Sequence, residues 1–187
     1  MWWPKHPAVG HLARLAIVFA AASATAGCFE PLYANRPTAG IDNVHDKLAA
    51  VELSPATTRP GAPDARIAIG MHNTLQYELN GGAGTTAPTH RLTVSVAATG
   101  VSFIINILTG LPTAQISGVT VNYQLVEIAT GKVVLKDTAY SHVDYDIAGS
   151  QQRFTQQRAG LEAEDRAIKI VAEAIRNRLA SYFVAGT

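Results

Sequence analysis

Val119-Thr120-Val121-Asn122-Tyr123-Gln124-Leu125-Val126 is followed, after Glu127 and Ile128, by Ala129-Thr130-Gly131-Lys132 and then by Val133-Val134-Leu135. Successive side chains of a strand point to opposite faces, so Val119, Val121, Tyr123 and Leu125 form one apolar face opposite Thr120, Asn122 and Gln124. The second arm continues through Ala139, Ser141, Val143 and Tyr145. Between the arms, Gly131 is the residue able to take a positive φ without strain. The pattern predicts an antiparallel hairpin of 119–126 with 133–145.

C-terminal to the hairpin, Leu161, Ile168, Ile175 and Tyr182 recur every seven residues, flanked by Ala172 and Leu179. This predicts a helix from about residue 150 to 183 with an apolar stripe wide enough to cover a sheet. Glu162, Glu164 and Asp165 come early in the regular stretch and Arg176 and Arg178 late, the sense that a helix dipole favours. N-terminal to the hairpin, Leu92, Val94 and Val96 alternate with Thr93 and Ser95, which predicts another strand. Ile67, Met71, Leu75 and Leu79 recur every four residues and predict a helix over 65–80, with Asp64 as its expected cap and Asn80-Gly81-Gly82 as its stop. Gly70 inside that helix costs up to about 1 kcal/mol relative to Ala, which points to close packing or to a start nearer Gly70. Ala49 to Leu53 reads as the first strand. The fold class expected is α+β: a two-layer sandwich of a mostly antiparallel four-stranded sheet with two helices packed on it, the C-terminal one long.

Val101 to Leu111 (VSFIINILTGL) is the most apolar run after the N-terminal leader and too short to span a bilayer as a helix. Two readings stand: a strand extension buried against the sheet, or an exposed apolar loop that docks on a partner.

The first 27 residues have the parts of a secretory signal: Lys5, His6, His11 and Arg14, then an apolar stretch from Leu15 to Ala26 too short to span a bilayer. Thr25-Ala26-Gly27-Cys28 looks like a bacterial lipobox, departing from the usual Leu three residues before the cysteine. Cys28 is the chain's one cysteine, so an internal disulfide is excluded and acylation accounts for it better. The expected division is a signal peptide over 1–27, a lipidated tether over 28–47 with Pro31 and Pro37 and no regular period, and a folded domain over 48–187. Phe29 after the cysteine fits the outer-membrane sorting class, so a lipid-anchored protein on the periplasmic face of the outer membrane is expected.

The whole chain carries net charge +1. Without Lys5 and Arg14 of the leader, 13 basic face 14 acidic side chains, so a nucleic-acid-binding role is disfavoured. No G-x-S-x-G is present, and His45, His72, His90 and His142 lack metal spacing, so neither a hydrolase nor a zinc site is expected. Asp144 and Asp146 share a strand face and read as solvated, and Gly81-Gly82-Ala83-Gly84 follows a helix and lacks the lysine of a phosphate loop. No catalytic residue, cofactor or metal is expected.

Four local motifs, in order, resemble one family. Cys28-Phe29-Glu30-Pro31-Leu32-Tyr33 resembles the C-G-F-x-P-L-Y opening of alphaproteobacterial LptE proteins, shortened by a residue. His72-Asn73-Thr74-Leu75 through Leu79-Asn80-Gly81-Gly82 is similar to their R-N-x-L-x-x-x-L-x-G-G helix, with His72 in place of Arg. Tyr123-Gln124-Leu125 with Thr130-Gly131 resembles their Y-x-L-x-x-x-x-T-G hairpin, and Glu162 to Leu179 their A-E-x-D-A-x-x-R terminal helix, with Arg166 displaced by one place. The resemblance spans nearly all of the chain after Gly27. It implies a non-enzymatic lipoprotein that forms a complex with the β-barrel LptD, helps that barrel assemble and contacts lipopolysaccharide. The alternative is an accessory subunit or tether of another envelope lipid transporter. By chemistry alone, Arg91, Lys132 and Lys136 are the candidates for lipopolysaccharide phosphates, and Phe103 and Ile105 for the partner interface.

Overall fold

The computed structural model describes residues 43–58, 64–83, 87–108, 110, 112–147 and 153–185. The expected signal peptide, Cys28 and most of the tether lie outside these. The described residues form, in order, α1 (Val44–Ala49), β1 (Val51–Leu53), α2 (Ala65–Asn80), β2 (His90–Ile105), β3 (Pro112–Glu127), β4 (Val133–Asp146) and α3 (Arg153–Ala185). The strands form one sheet in the order β1-β2-β3-β4, with β1 parallel to β2 and the remaining pairs antiparallel.

The hairpin forms as the alternation requires: Gln124 is in register with Lys136 and Val121 with Ala139. Gly131 turns the chain at φ 69°, and its N–H donates to the Glu127 carbonyl at 2.8 Å. Leu92, Val94, Val96, Val119, Val121, Tyr123 and Leu125 all point to the covered face and are buried. Against them pack α2, through Ile67, Met71, Leu75 and Leu79, and α3, through Ala163, Ala167, Ile168, Val171, Ala172, Ile175 and Leu179. The α+β two-layer class is as expected. Among the described residues the buried core runs from Leu48 to Ala180, inside the compact unit Thr38–Thr187, so that unit has a core of its own.

Several local expectations are corrected. Residues 44–47, read as part of the tether, begin α1, because Leu48 is buried and ties this turn to α2 and α3. The first strand therefore starts at Val51 rather than Ala49. Asp64 precedes α2 but makes no side-chain cap, and its buried Oδ2 lacks a hydrogen-bond partner among the described residues. The stop is as read: Gly81, at φ 65°, donates to Tyr77 O at 2.8 Å, and Gly82 donates to Gln76 O at 3.3 Å. Gly70 reflects close packing, since a Cβ there would lie 3.0 Å from Ile168 Cδ1 on α3.

Because α3 begins at Arg153, Glu164 and Asp165 sit three turns inside it, beyond the reach of the helix dipole. Instead they hold Arg66 of α2 at 2.6 and 3.1 Å. Arg176 likewise holds Glu78 of α2 at 2.6 Å, and Arg178 lies 3.5 Å from Asp137 of β4. These charges bracket the helix layer rather than tuning the ends of one helix.

Candidate functional site

Helices cover one face of the sheet, and the other carries the polar parity of each strand. Two rows follow from register: Thr93, Gln124 and Lys136, then Ser95, Asn122 and Thr138. They line a shallow groove of about 540 Å³, with Tyr123 and Asp137 at its border. Thr138 Oγ1 donates to Asn122 Oδ1 at 2.7 Å, which ties β4 to β3 across its floor. The sequence forms this groove because the outward residues here are short hydroxyls and amides on β2 and β3 (Thr93, Ser95, Asn122, Gln124), joined on β4 by Thr138 and Lys136, leaving a floor of donors and acceptors. Tyr123 turns inward, and burial, then the Asp137 charge, push its phenol up to about 12, so it stays protonated.

The three candidate cations fare differently. Lys136 lines the groove beside Thr93 and Ser95 and has no ion-pair partner among the described residues. Arg91 stands on the same strand face, but its Nε donates to Glu52 Oε2 on β1 at 2.9 Å. Its charge is thus already met, which the sequence could not show because Glu52 is 39 residues away. Lys132 is exposed in the β3–β4 turn, outside the groove lining.

Phe103 and Ile105 lie at the far end of β2 from Arg91. The run 101–111 meets neither expectation whole. β2 does continue through it, with Phe103 in register with Gln115 and Ile104 with Ala114, yet the extension is not buried. Phe103 and Ile105 are 56% and 57% exposed, and Ile107 and Leu108 in the turn are 98% and 95% exposed. The helix layer does not bury it: among the described residues the core face of α3 begins only at Ala163, and Phe154 nearer the helix start is itself exposed. Register shifts between Thr99 and Ser102 and between Ile104 and Ile105 bend this projecting end.

A second depression, of about 620 Å³, was not foreseen. It lies where α1, the start of β2 and the end of α3 meet, lined by Lys47, Thr89, His90, Glu127, Tyr182 and Phe183. His90 meets the Phe183 ring edge-on at 5.2 Å. Burial lowers its pKa, against the smaller opposing pull of Glu127. The adjacent Tyr182-Phe183 near the end of the long amphipathic segment was the available signal.

The other singled-out residues form no reacting set. His45 lies 3.7 Å from its neighbour Asp46, His142 stacks edge-on with Tyr140, and His72 Nδ1 is buried without a partner among the described residues. Asp144 and Asp146 are exposed on β4. Among the described residues no three His, Cys, Asp or Glu side chains come together as a metal site, and no helix is long and apolar enough to cross a membrane.

No family model and no curated protein matches the chain. Solved structures do. A protein of Caulobacter crescentus assigned as a lipoprotein superposes with a TM-score of 0.58 at 18% identity, over 76% of this chain and 96% of that one. Rare lipoprotein B of Shewanella oneidensis gives a TM-score of 0.53 at 13% identity, over 72% of this chain and 96% of that one. At such identities the likeness is one of fold: this chain has an α+β fold that bacterial lipoproteins use.

Proposed function

We propose that this chain is a non-enzymatic outer-membrane lipoprotein of LptE type, anchored on the periplasmic face through acyl chains on Cys28, which works with an LptD-type β-barrel in assembling lipopolysaccharide at the cell surface. The observation that carries the reading is the lipobox-like Thr25-Ala26-Gly27-Cys28 standing ahead of a domain whose fold lipoproteins share. The motif order supports the finer part. Its residues occupy positions that shape this fold: Gly81 and Gly131 at positive φ, Tyr123 buried, Glu164 and Asp165 clasping Arg66.

In this reading the hydroxyl and amide groove meets the sugar and phosphate part of lipopolysaccharide. Lys136 supplies charge, Lys132 stands at the nearby turn, and Arg91 takes part only by leaving Glu52. Phe103 and Ile105 are the proposed contact with the partner.

Two measurements test it. Mass spectrometry of the processed protein should find acylated Cys28 with residues 1–27 removed; unmodified Cys28 on a chain of full length ends the lipoprotein reading. The solubilised protein should copurify stoichiometrically with a large outer-membrane barrel, and its depletion should strand lipopolysaccharide before the surface. Copurification with an inner-membrane ATPase complex, with normal surface lipopolysaccharide, selects an accessory subunit of another lipid transporter instead.

A further inference from the structure

We infer, on the basis of the partner contact proposed above, that the far end of the β2–β3 hairpin and the adjoining Asp144 and Asp146 of β4 form a docking surface for a protein partner that offers an apolar cleft bordered by lysine or arginine. Phe103, Ile104, Ile105, Ile107 and Leu108 are all exposed here, and an apolar cluster of that kind marks an interface. Register joins the acids to it. Ile104 pairs with Ala114 and Ala114 with Asp146, so the three form one row across the sheet, and Asp144 pairs with Ile116 in the next row on that face. With strands about 4.8 Å apart, Asp146 sits roughly 10 Å from Ile104, within the footprint of one partner.

The charge at this end is negative in balance. From Leu92 to Val126 the hairpin carries no Asp, Glu, Lys, Arg or His, so what charge there is comes from β4 and from the part of α3 beside it. Asp144 and Asp146 are exposed and share a shallow depression with Glu162 and Arg166, three carboxylates to one guanidinium. That excess decides among occupants. A bilayer interior is disfavoured, because burying an ionised carboxylate without a partner is costly. A second copy would bring the same acids against each other, and like charges across an interface oppose association. A partner whose cations meet Asp144 and Asp146 while its apolar cleft takes Ile107 and Leu108 satisfies both kinds of group.

The surface is built before it binds. Ladder pairing continues to Ile105 with Pro112, and the turn is tied by Asn106, whose Oδ1 accepts from Leu108 N at 2.9 Å and whose carbonyl accepts from Gly110 N at 2.8 Å. Thr113 Oγ1 donates to the Ile104 carbonyl at 3.3 Å. The apolar side chains are thus held out on ordered backbone, and little of the binding free energy goes to ordering a loop. The acids at the border speed and orient the encounter, and the apolar tip holds the complex.

The test uses the full-length chain, affinity-tagged and coexpressed with the LptD-type barrel, and reads the barrel recovered per chain from detergent. Ile107→Asp should lower that recovery about tenfold or more, as loss of an apolar anchor does, without moving the unfolding midpoint, because the position is already exposed. Asp144→Lys with Asp146→Lys should lower it about threefold or more. Raising salt from about 0.1 M to about 1 M, which cuts the screening length from about 10 Å to about 3 Å, should weaken the parent complex and not that of the lysine variant. Equal recovery with parent and variants at both salt levels overturns the proposal and leaves the barrel reading standing. A loss with Ile107→Asp but none with the lysine pair overturns it in favour of a purely apolar contact. No barrel with the parent sinks the barrel reading and this contact with it, and dimerisation of the parent that Ile107→Asp abolishes overturns the proposal in favour of a second copy.

Discussion

Replacing Gly70 by Ala sets two opposed effects against each other at one atom. Gly in a helix interior costs about 1 kcal/mol relative to Ala, so propensity alone makes the change stabilising by that amount. The new Cβ, however, would stand 3.0 Å from Ile168 Cδ1, and both residues belong to the contact between α2 and α3. Forcing a methyl into a packed core costs about 1–3 kcal/mol, so Gly70→Ala alone should be neutral to about 2 kcal/mol destabilising. Ile168→Val removes the obstructing atom and by itself should cost about 0.5–1.5 kcal/mol. In the double variant the new methyl occupies the vacated space and keeps its helix gain, so stability should return to within about 0.5 kcal/mol of the parent. The coupling between the two changes is therefore favourable by about 0.5–3.5 kcal/mol, the sum of the two single costs. Urea unfolding of the unit 38–187, with the slope held constant across the four proteins, measures it. Additivity within about 0.5 kcal/mol would refute the argument, because residues not in contact add to that accuracy.

Ile175 is fully buried on α3, and Ile175→Ala should cost about 2–5 kcal/mol in the same assay; a loss under about 0.5 kcal/mol would place this helix outside the core. His90 has a folded pKa below its ordinary value because it is partly buried, so the unfolded chain takes up the proton more readily. Stability should thus fall as pH drops through about 6.5 toward the lower folded value, and His90→Gln should flatten that part of the profile. The groove predicts that Lys136→Asp alone weakens lipopolysaccharide binding in a folded protein, with Arg91→Asp adding less because Glu52 already holds that charge. Unchanged binding in the double variant would remove the groove as the ligand face.

Sequence by itself determined what depends on period and on single backbone demands. The alternation of Val119, Val121, Tyr123 and Leu125, the four-residue recurrence from Ile67 to Leu79 and the glycines at 81 and 131 each have one low-energy reading, because strand and helix periods differ and positive φ excludes most side chains. The two-layer class follows, since each element offers one apolar face that needs cover. Tertiary structure decided everything that couples distant residues. Only the packed fold shows that Glu52 occupies Arg91, that Glu164 and Asp165 clasp Arg66 across two helices, and that Lys136 shares a groove with Thr93 and Ser95. The fate of Val101 to Leu111 was open for the same reason. Its composition asks for burial, but whether a strand is buried depends on which helix residues pack on it, and here the core face of α3 begins only at Ala163.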